Sequence, residues 1–187
     1  MPDLQALGRD GVTMVRHSWN SWRGQRGVAL SELAISLPVL LIMVLATVDF
    51  GRYIYFTQVT NDLAREAGML VSRGATYSQV FQATFDADRP LDVESDGSIV
   101  ISRIRRHTET DGTPWVFEQE TAGQLSEYLS RIGPENGPAE LRQIEELGGG
   151  VTLMAVEINH RFEPLFLPNT MLGVNIYPDD LYNAAIF

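Results

Sequence analysis

The side chains able to do acid–base chemistry near neutral pH are few: three histidines and a set of carboxylates, with no cysteine and no lysine in 187 residues. Cysteine's absence removes disulfides, thiolate metal sites and a cysteine nucleophile together. His17 lies in the N-terminal segment, which leaves His107 and His160. No H-E-x-x-H, G-x-S-x-G, Walker A or Rossmann glycine pattern is present. Glu157, His160 and Glu163 recur at every third residue, but on a strand that spacing alternates between faces, so a local metal site is not expected and His160 is placed at the surface or a sheet edge. The stretch "FDADRPLDVESDG" gathers Asp86, Asp88, Asp92, Glu94 and Asp96. It lacks the calcium-loop spacing and reads as a solvated acidic loop. Gly148-Gly149-Gly150 has no following lysine and reads as a hinge. The expectation is a protein that is not an enzyme and has no catalytic residue, cofactor or metal.

One carboxylate is harder to dismiss. Glu32 stands at the head of an apolar run, five residues after Gly27, in "RGQRGVALSELAISLPVLLIMVLATVDFG". Leu33 to Val48 holds no charge, and Leu33 to Phe50 as a helix spans roughly 27 Å, close to the hydrocarbon thickness of a bilayer. A carboxylate at mid-bilayer costs about 2.5–3.5 kcal/mol on insertion scales, so it calls for a partner or an interface. Glu32 either sits at the interface with its charge in water or is paired. Arg16, Arg23 and Arg26 precede the run, which by the positive-inside tendency keeps the N-terminus cytoplasmic and exports the chain beyond Gly51. The run ends in "ATVDFGRYIY" without an A-x-A site, so the apolar segment is expected to be retained.

The elements that must carry these residues follow from periodicity. Phe56, Val59, Leu63, Ala67 and Leu70 recur at helical spacing, and Gly74 supplies a stop, so one near-continuous helix is predicted over Val28–Arg73, about 69 Å long. Pro38 removes one backbone donor inside it and can kink it. "SIVISRIRRH" (Ser98 to His107), "WVFEQE" (Trp115 to Glu120) and "VTLMAVEINHRF" (Val151 to Phe162) read as strands, with Asp96-Gly97 and Asp111-Gly112 as turns. Ala122 to Arg131 and Ala139 to Leu147 read as short helices. "EPLFLPNTMLG", with Phe166, Leu167, Met171 and Leu172, is either a partner surface or a loop packed on the sheet, the latter being the expectation. The fold class is α+β. Net charge is −10, with four arginines against two aspartates in residues 1–27 and a strongly acidic remainder, so nucleic acid is not an expected partner.

These residues together resemble a family. The Arg-Gly junction, Val28-Ala29-Leu30-Ser31, Glu32, Pro38 in the apolar run, the Asp49-Phe50-Gly51 exit and Ala64-Arg65-Glu66-Ala67 resemble the TadE-like minor pseudopilins of the Tad/Flp (tight adherence, type IV) pilus system. The end of the last long strand, "NHRFEPLF", resembles the late strand of the same proteins. The resemblance implies a basic prepilin leader over 1–27, cut between Gly27 and Val28 by a prepilin peptidase. Met14 offers a second start and a shorter leader. It implies a long helix over 28–74, membrane-spanning at 33–50 and amphipathic at 52–73, and an exported pilin-like α+β head over 75–187. Glu32 would pair with the new N-terminal amine of Val28 and serve assembly. The implied partners are the prepilin peptidase, the major pilin and other minor pseudopilins, the inner-membrane assembly platform and membrane lipid. The implied location is the bacterial inner membrane, single-pass with the head in the periplasm, and then the pilus or cell surface. An uncleaved, signal-anchored binding or adhesion module is the alternative.

Overall fold

The computed structural model describes residues 21–107, 112–125, 130–141, 150–171, 173–178 and 180–187. By its contacts the chain forms two units, Met1–Val44 and Leu45–Phe187. Helix α1 runs Ser21–Ser72 without interruption at Pro38, beginning upstream of the Val28 expected. It ends where predicted. Gly74 takes φ +87°, its N–H reaches the Val71 carbonyl (2.9 Å) and the Ala75 N–H reaches that of Leu70 (3.1 Å), a Schellman closure that needs the left-handed conformation glycine adopts without strain.

Two more helices come next. α2, Tyr77–Ala87, starts with a capping box in which Thr76 and Gln79 exchange backbone and side-chain hydrogen bonds. α3, Val93–Asp96, is a single turn capped by Asp92. The acidic segment is solvated as expected at Asp86, Asp92, Glu94 and Asp96, which are exposed, but it is not a plain loop: Asp88 is buried and its Oδ2 accepts from the Val93 N–H at 2.5 Å, while Asp96 closes a helical turn where a simple turn was expected.

The strands are β1 Gly97–Arg106, β2 Pro114–Ala122, β3 Gly137–Pro138, β4 Thr152–Arg161, β5 Thr170–Met171, β6 Val174–Asn175 and β7 Asp180–Ile186. Five form an antiparallel sheet in the order β3-β2-β1-β4-β7, and β5 pairs with β6 alone. The long helix followed by this sheet is the α+β arrangement expected. Ala122 belongs to β2 and Arg131 to a bend, not to a helix between them. Residues 123–125 and 130 of that span are not helical either, whereas 126–129 and most of the second predicted helix, 142–147, lie outside the described residues.

Alternation along β1 and β4 divides the core. Ile99 and Ile101 with Val156 and Ile158 face Leu63, Ala64, Ala67 and Val71 of α1 and Val80 of α2, so the 56/59/63/67/70 stripe covers the sheet as predicted. The opposite face packs Ile104, Val116 and Ala155 against Ile132. Burying such side chains supplies about 1.5–3 kcal/mol each, the main favourable term for a head of this size.

His160 sits on the α1-facing side of β4, which lies inside the sheet with Gly97 opposite on β1 and Leu181 on β7. Only 4% of it is exposed, contrary to the edge position expected from sequence. Its Nε2 bonds the Leu91 carbonyl, which can only accept, so the neutral ring carries its proton there. Its ring also meets Phe56 edge-on at 6.1 Å. Burial pushes its pKa below the ordinary histidine value and outweighs the opposing pull of the Leu91 carbonyl and of Asp96, Asp88 and Asp92. The folded state therefore holds the ring neutral, whereas the unfolded chain binds a proton from about pH 6.5 downward. Stability from this residue is present above that pH and is lost as pH falls, at up to about 1.4 kcal/mol per pH unit. Denaturant unfolding followed from pH 8 to pH 5 is expected to show this slope below about pH 6.5, and His160→Gln, which keeps an N–H for Leu91, to flatten it.

Candidate functional site

Residues near both ends of the apolar run could carry function, and the fold treats them differently. Gly27 and Val28 lie inside α1, not at its start. A Cβ on Gly27 would meet nothing within 4 Å, and its backbone is not left-handed. Glycine inside a helix costs about 1 kcal/mol relative to alanine, and neither space nor backbone geometry in this chain requires it there. Val28 and Glu32 are four residues apart, one above the other on the same helical face, and both are exposed. Ser31 and Ser36 donate their hydroxyls to the Val28 and Glu32 carbonyls, both at 2.7 Å, so these serines meet their hydrogen-bonding needs on their own helix. Glu32 is an exposed charged side chain at this end. The helix from Gly27 contains an 18-residue window with mean hydropathy 2.4, none of it buried, long and apolar enough to cross a membrane.

At the other end of the run stands Asp49, fully buried although its neighbours Val48 and Phe50 are exposed. Its Oδ1 accepts the Leu165 N–H at 2.9 Å, and its Oδ2 accepts those of Phe166 at 3.0 Å and Leu167 at 2.9 Å. Arg52, one turn on, places a guanidinium nitrogen 3.9 Å from Oδ1 and stacks over Phe56 and Phe162 at 5.1 and 6.0 Å. Tyr53, Phe162 and Tyr177 close the base of this arrangement, with ring centroids 5.3 to 5.9 Å apart. The "EPLFLP" segment is therefore fastened to α1 through its backbone, not laid on the sheet as expected, and Leu165 and Phe166 face outward.

Beside Arg52 a cleft of about 190 Å³ is lined by Phe56, Leu91, Asp96, His160 and Glu163 among others. His160 and Glu163 share it because β4 ends at Arg161 and the strand alternation stops there. Glu157 is on the opposite face, where it accepts from the Arg131 N–H at 2.9 Å, the Tyr182 hydroxyl at 2.7 Å and the Ser130 hydroxyl. His107, its ring tilted at 42° against Trp115 with centroids 4.4 Å apart, lies just past the end of β1 remote from His160. Among the described residues no three His, Asp or Glu side chains come together as a metal site. The sequence reading missed Asp49, whose signal was a lone acid closing an apolar run ahead of a proline-bracketed segment.

Three amide donors on one buried carboxylate are charge-assisted bonds of about 1.5–3 kcal/mol each, though not additive. Asp49→Ala is expected to destabilise the Leu45–Phe187 unit by about 3–5 kcal/mol and to release the amides of Leu165, Phe166 and Leu167 to fast hydrogen exchange. Asp49→Asn, which keeps one oxygen acceptor, should fall between. Exchange of those amides unchanged in Asp49→Ala would contradict this role.

Compared with known families, residues 27–69 match the family described as TadE-like protein. No curated protein and no solved structure matches the chain. The matched segment takes in Gly27, Glu32, the apolar run, Asp49 and most of the stripe that packs on the sheet. Over residues 27–69, then, the chain is similar to the TadE-like proteins.

Proposed function

We propose that this chain is a structural minor pseudopilin that primes or supports assembly of a Tad/Flp-type pilus and catalyses no reaction. A prepilin peptidase cuts between Gly27 and Val28, removing the basic leader. The TadE-like segment, which opens at Gly27 and includes Glu32, carries this reading. The glycine that the fold itself does not require supports it, because a peptidase that accepts only a small residue before the cut supplies the missing reason. The chain then stands single-pass in the bacterial inner membrane with its head in the periplasm, in contact with the assembly platform, the major pilin and other minor pseudopilins, and passes on to the pilus.

Cleavage creates an amine on Val28 one helical turn from Glu32. The carboxylate, costly in hydrocarbon when alone, gains a cationic partner within its own subunit or on a staggered neighbour. Packing against neighbours then lowers the energy of a charge that an isolated subunit solvates poorly, and this difference favours the assembled state.

N-terminal sequencing of the protein from cells with and without the peptidase tests the cut: the mature chain is expected to begin at Val28 only when the peptidase is present. An unchanged N-terminus in both would leave an uncleaved, signal-anchored binding or adhesion module instead. Glu32→Ala is expected to leave cleavage intact and to reduce incorporation into pili by a factor on the order of 100, the equivalent of the lost pairing. Normal piliation by that variant would sink the proposed role of the carboxylate.

A further inference from the structure

The segment Pro164-Leu165-Phe166-Leu167-Pro168 is unusual in its donors. The two prolines have no N–H, and the three residues between them each give theirs to Asp49. The stretch thus exposes no free backbone donor. Its outward side chains are apolar: Leu165 is 64% exposed and Phe166 51%. A loop in water has no need of such closure, since water satisfies its amides. Hydrocarbon does not, and there each unsatisfied group costs several kcal/mol. The segment is also fixed in level. With all three amides within 3.0 Å of the Asp49 carboxylate, it cannot rise or sink along α1 by more than a few ångströms, and Asp49 is the residue at which the membrane-length run closes. Val48 and Phe50, on either side of it, are exposed apolar residues at the same height.

From this geometry we propose that the Pro164–Pro168 turn is a lipid-facing foot of the head. Leu165 and Phe166 enter the boundary of the bilayer that residues 33–50 cross, and Asp49 pre-satisfies the backbone N–H donors that enter with them. The proposal rests on the reading of residues 33–50 as the membrane span. A bilayer suits this surface better than a second copy of the chain does. Two adjacent side chains fall well short of the roughly 1,200 Å² of a specific protein interface, whereas lipid contact demands only apolar atoms at the right depth. Arg52, one turn beyond, and Tyr53 supply the cationic and amphipathic side chains that favour the interfacial layer.

The chain's lack of cysteine makes single-site labelling direct. Full-length protein carrying Leu165→Cys or Phe166→Cys, labelled with bimane and reconstituted in phosphatidylcholine vesicles, is compared with Leu41→Cys in the apolar run and Phe117→Cys on β2. Quenching by lipids bearing a nitroxide near the headgroup, together with loss of quenching by aqueous iodide, is expected at 165 and 166. Phe117→Cys should be quenched by iodide and Leu41→Cys should not. Iodide quenching at 165 and 166 equal to that at 117, with 41 still protected, overturns the foot while leaving the span intact. Iodide quenching at 41 overturns the span and the foot with it. Protection at 165 and 166 that is insensitive to nitroxide lipid and grows with the protein-to-lipid ratio assigns the surface to a second copy and also overturns the proposal.

Discussion

The Asp49 carboxylate is the constraint on which the region around the helix exit depends. A fully buried charge is unfavourable unless it is met by donors fixed in place, and here three consecutive amides meet it. Because those amides are held, Phe162 and Tyr177 can close against Tyr53, and Arg52 can lie over Phe56 and Phe162 while its tip donates to the Glu163 carbonyl at 3.5 Å. The bond between helix and loop joins residues 116 to 118 positions apart, so closing it carries a large loop-entropy cost.

The other face of the sheet repeats the device. Glu157, also fully buried, collects the Ser130 hydroxyl, the Arg131 N–H and the Tyr182 hydroxyl. Gln119 adds hydrogen bonds to Ser102 at 2.8 Å and to the Gly133 carbonyl at 3.1 Å. The segment carrying Ile132 is thereby set over Ile104, Val116 and Ala155. Asp49 thus fixes an irregular segment by three backbone amides, and Glu157 fixes another by one amide and two hydroxyls. Both carboxylates spend their acceptor capacity on the protein's own donors, which suits anchoring and is the opposite of what a poised general base needs.

Much of the framework could be read from local pattern. The apolar run, the 3.6-residue stripe and Gly74 delimit α1, and alternation delimits β1, β2 and β4, because these signals depend on neighbours in sequence. The features that local pattern did not reveal depend on neighbours in space. The burial of His160 follows from β4 lying between β1 and β7, a fact of sheet order that no strand pattern states. The role of Asp49 follows from a loop more than a hundred residues away. α2 is a different case: Thr76-x-x-Gln79 is a capping-box signature visible in the sequence, overlooked beneath the acidic residues that come after it. The helix read over Ala122–Arg131 failed at its start because Thr121 and Ala122 continue the β2 ladder opposite Val100 and Ile99, and pairing along a ladder outweighs the modest helix preference of alanine.

The glycines separate what the fold demands from what it does not. Gly74 is required by a left-handed closure, and Gly123, at φ +107°, leaves no room for a Cβ, which would fall 2.5 Å from the Gly97 carbonyl oxygen. Gly27 has neither reason, since it is helical, exposed and surrounded by open space. Gly51 is the same, and nothing in the structure explains it. An unforced glycine in a helix sacrifices stability, and the fold gives no reason for one at position 27 or at position 51. The cut proposed between Gly27 and Val28 would supply a reason at position 27, because a bare Cα permits close approach to the backbone. The helical state of the junction would add a condition to that proposed cut: the bond would become extended only if the first turns of α1 opened, and glycine at that position lowers the cost of opening them.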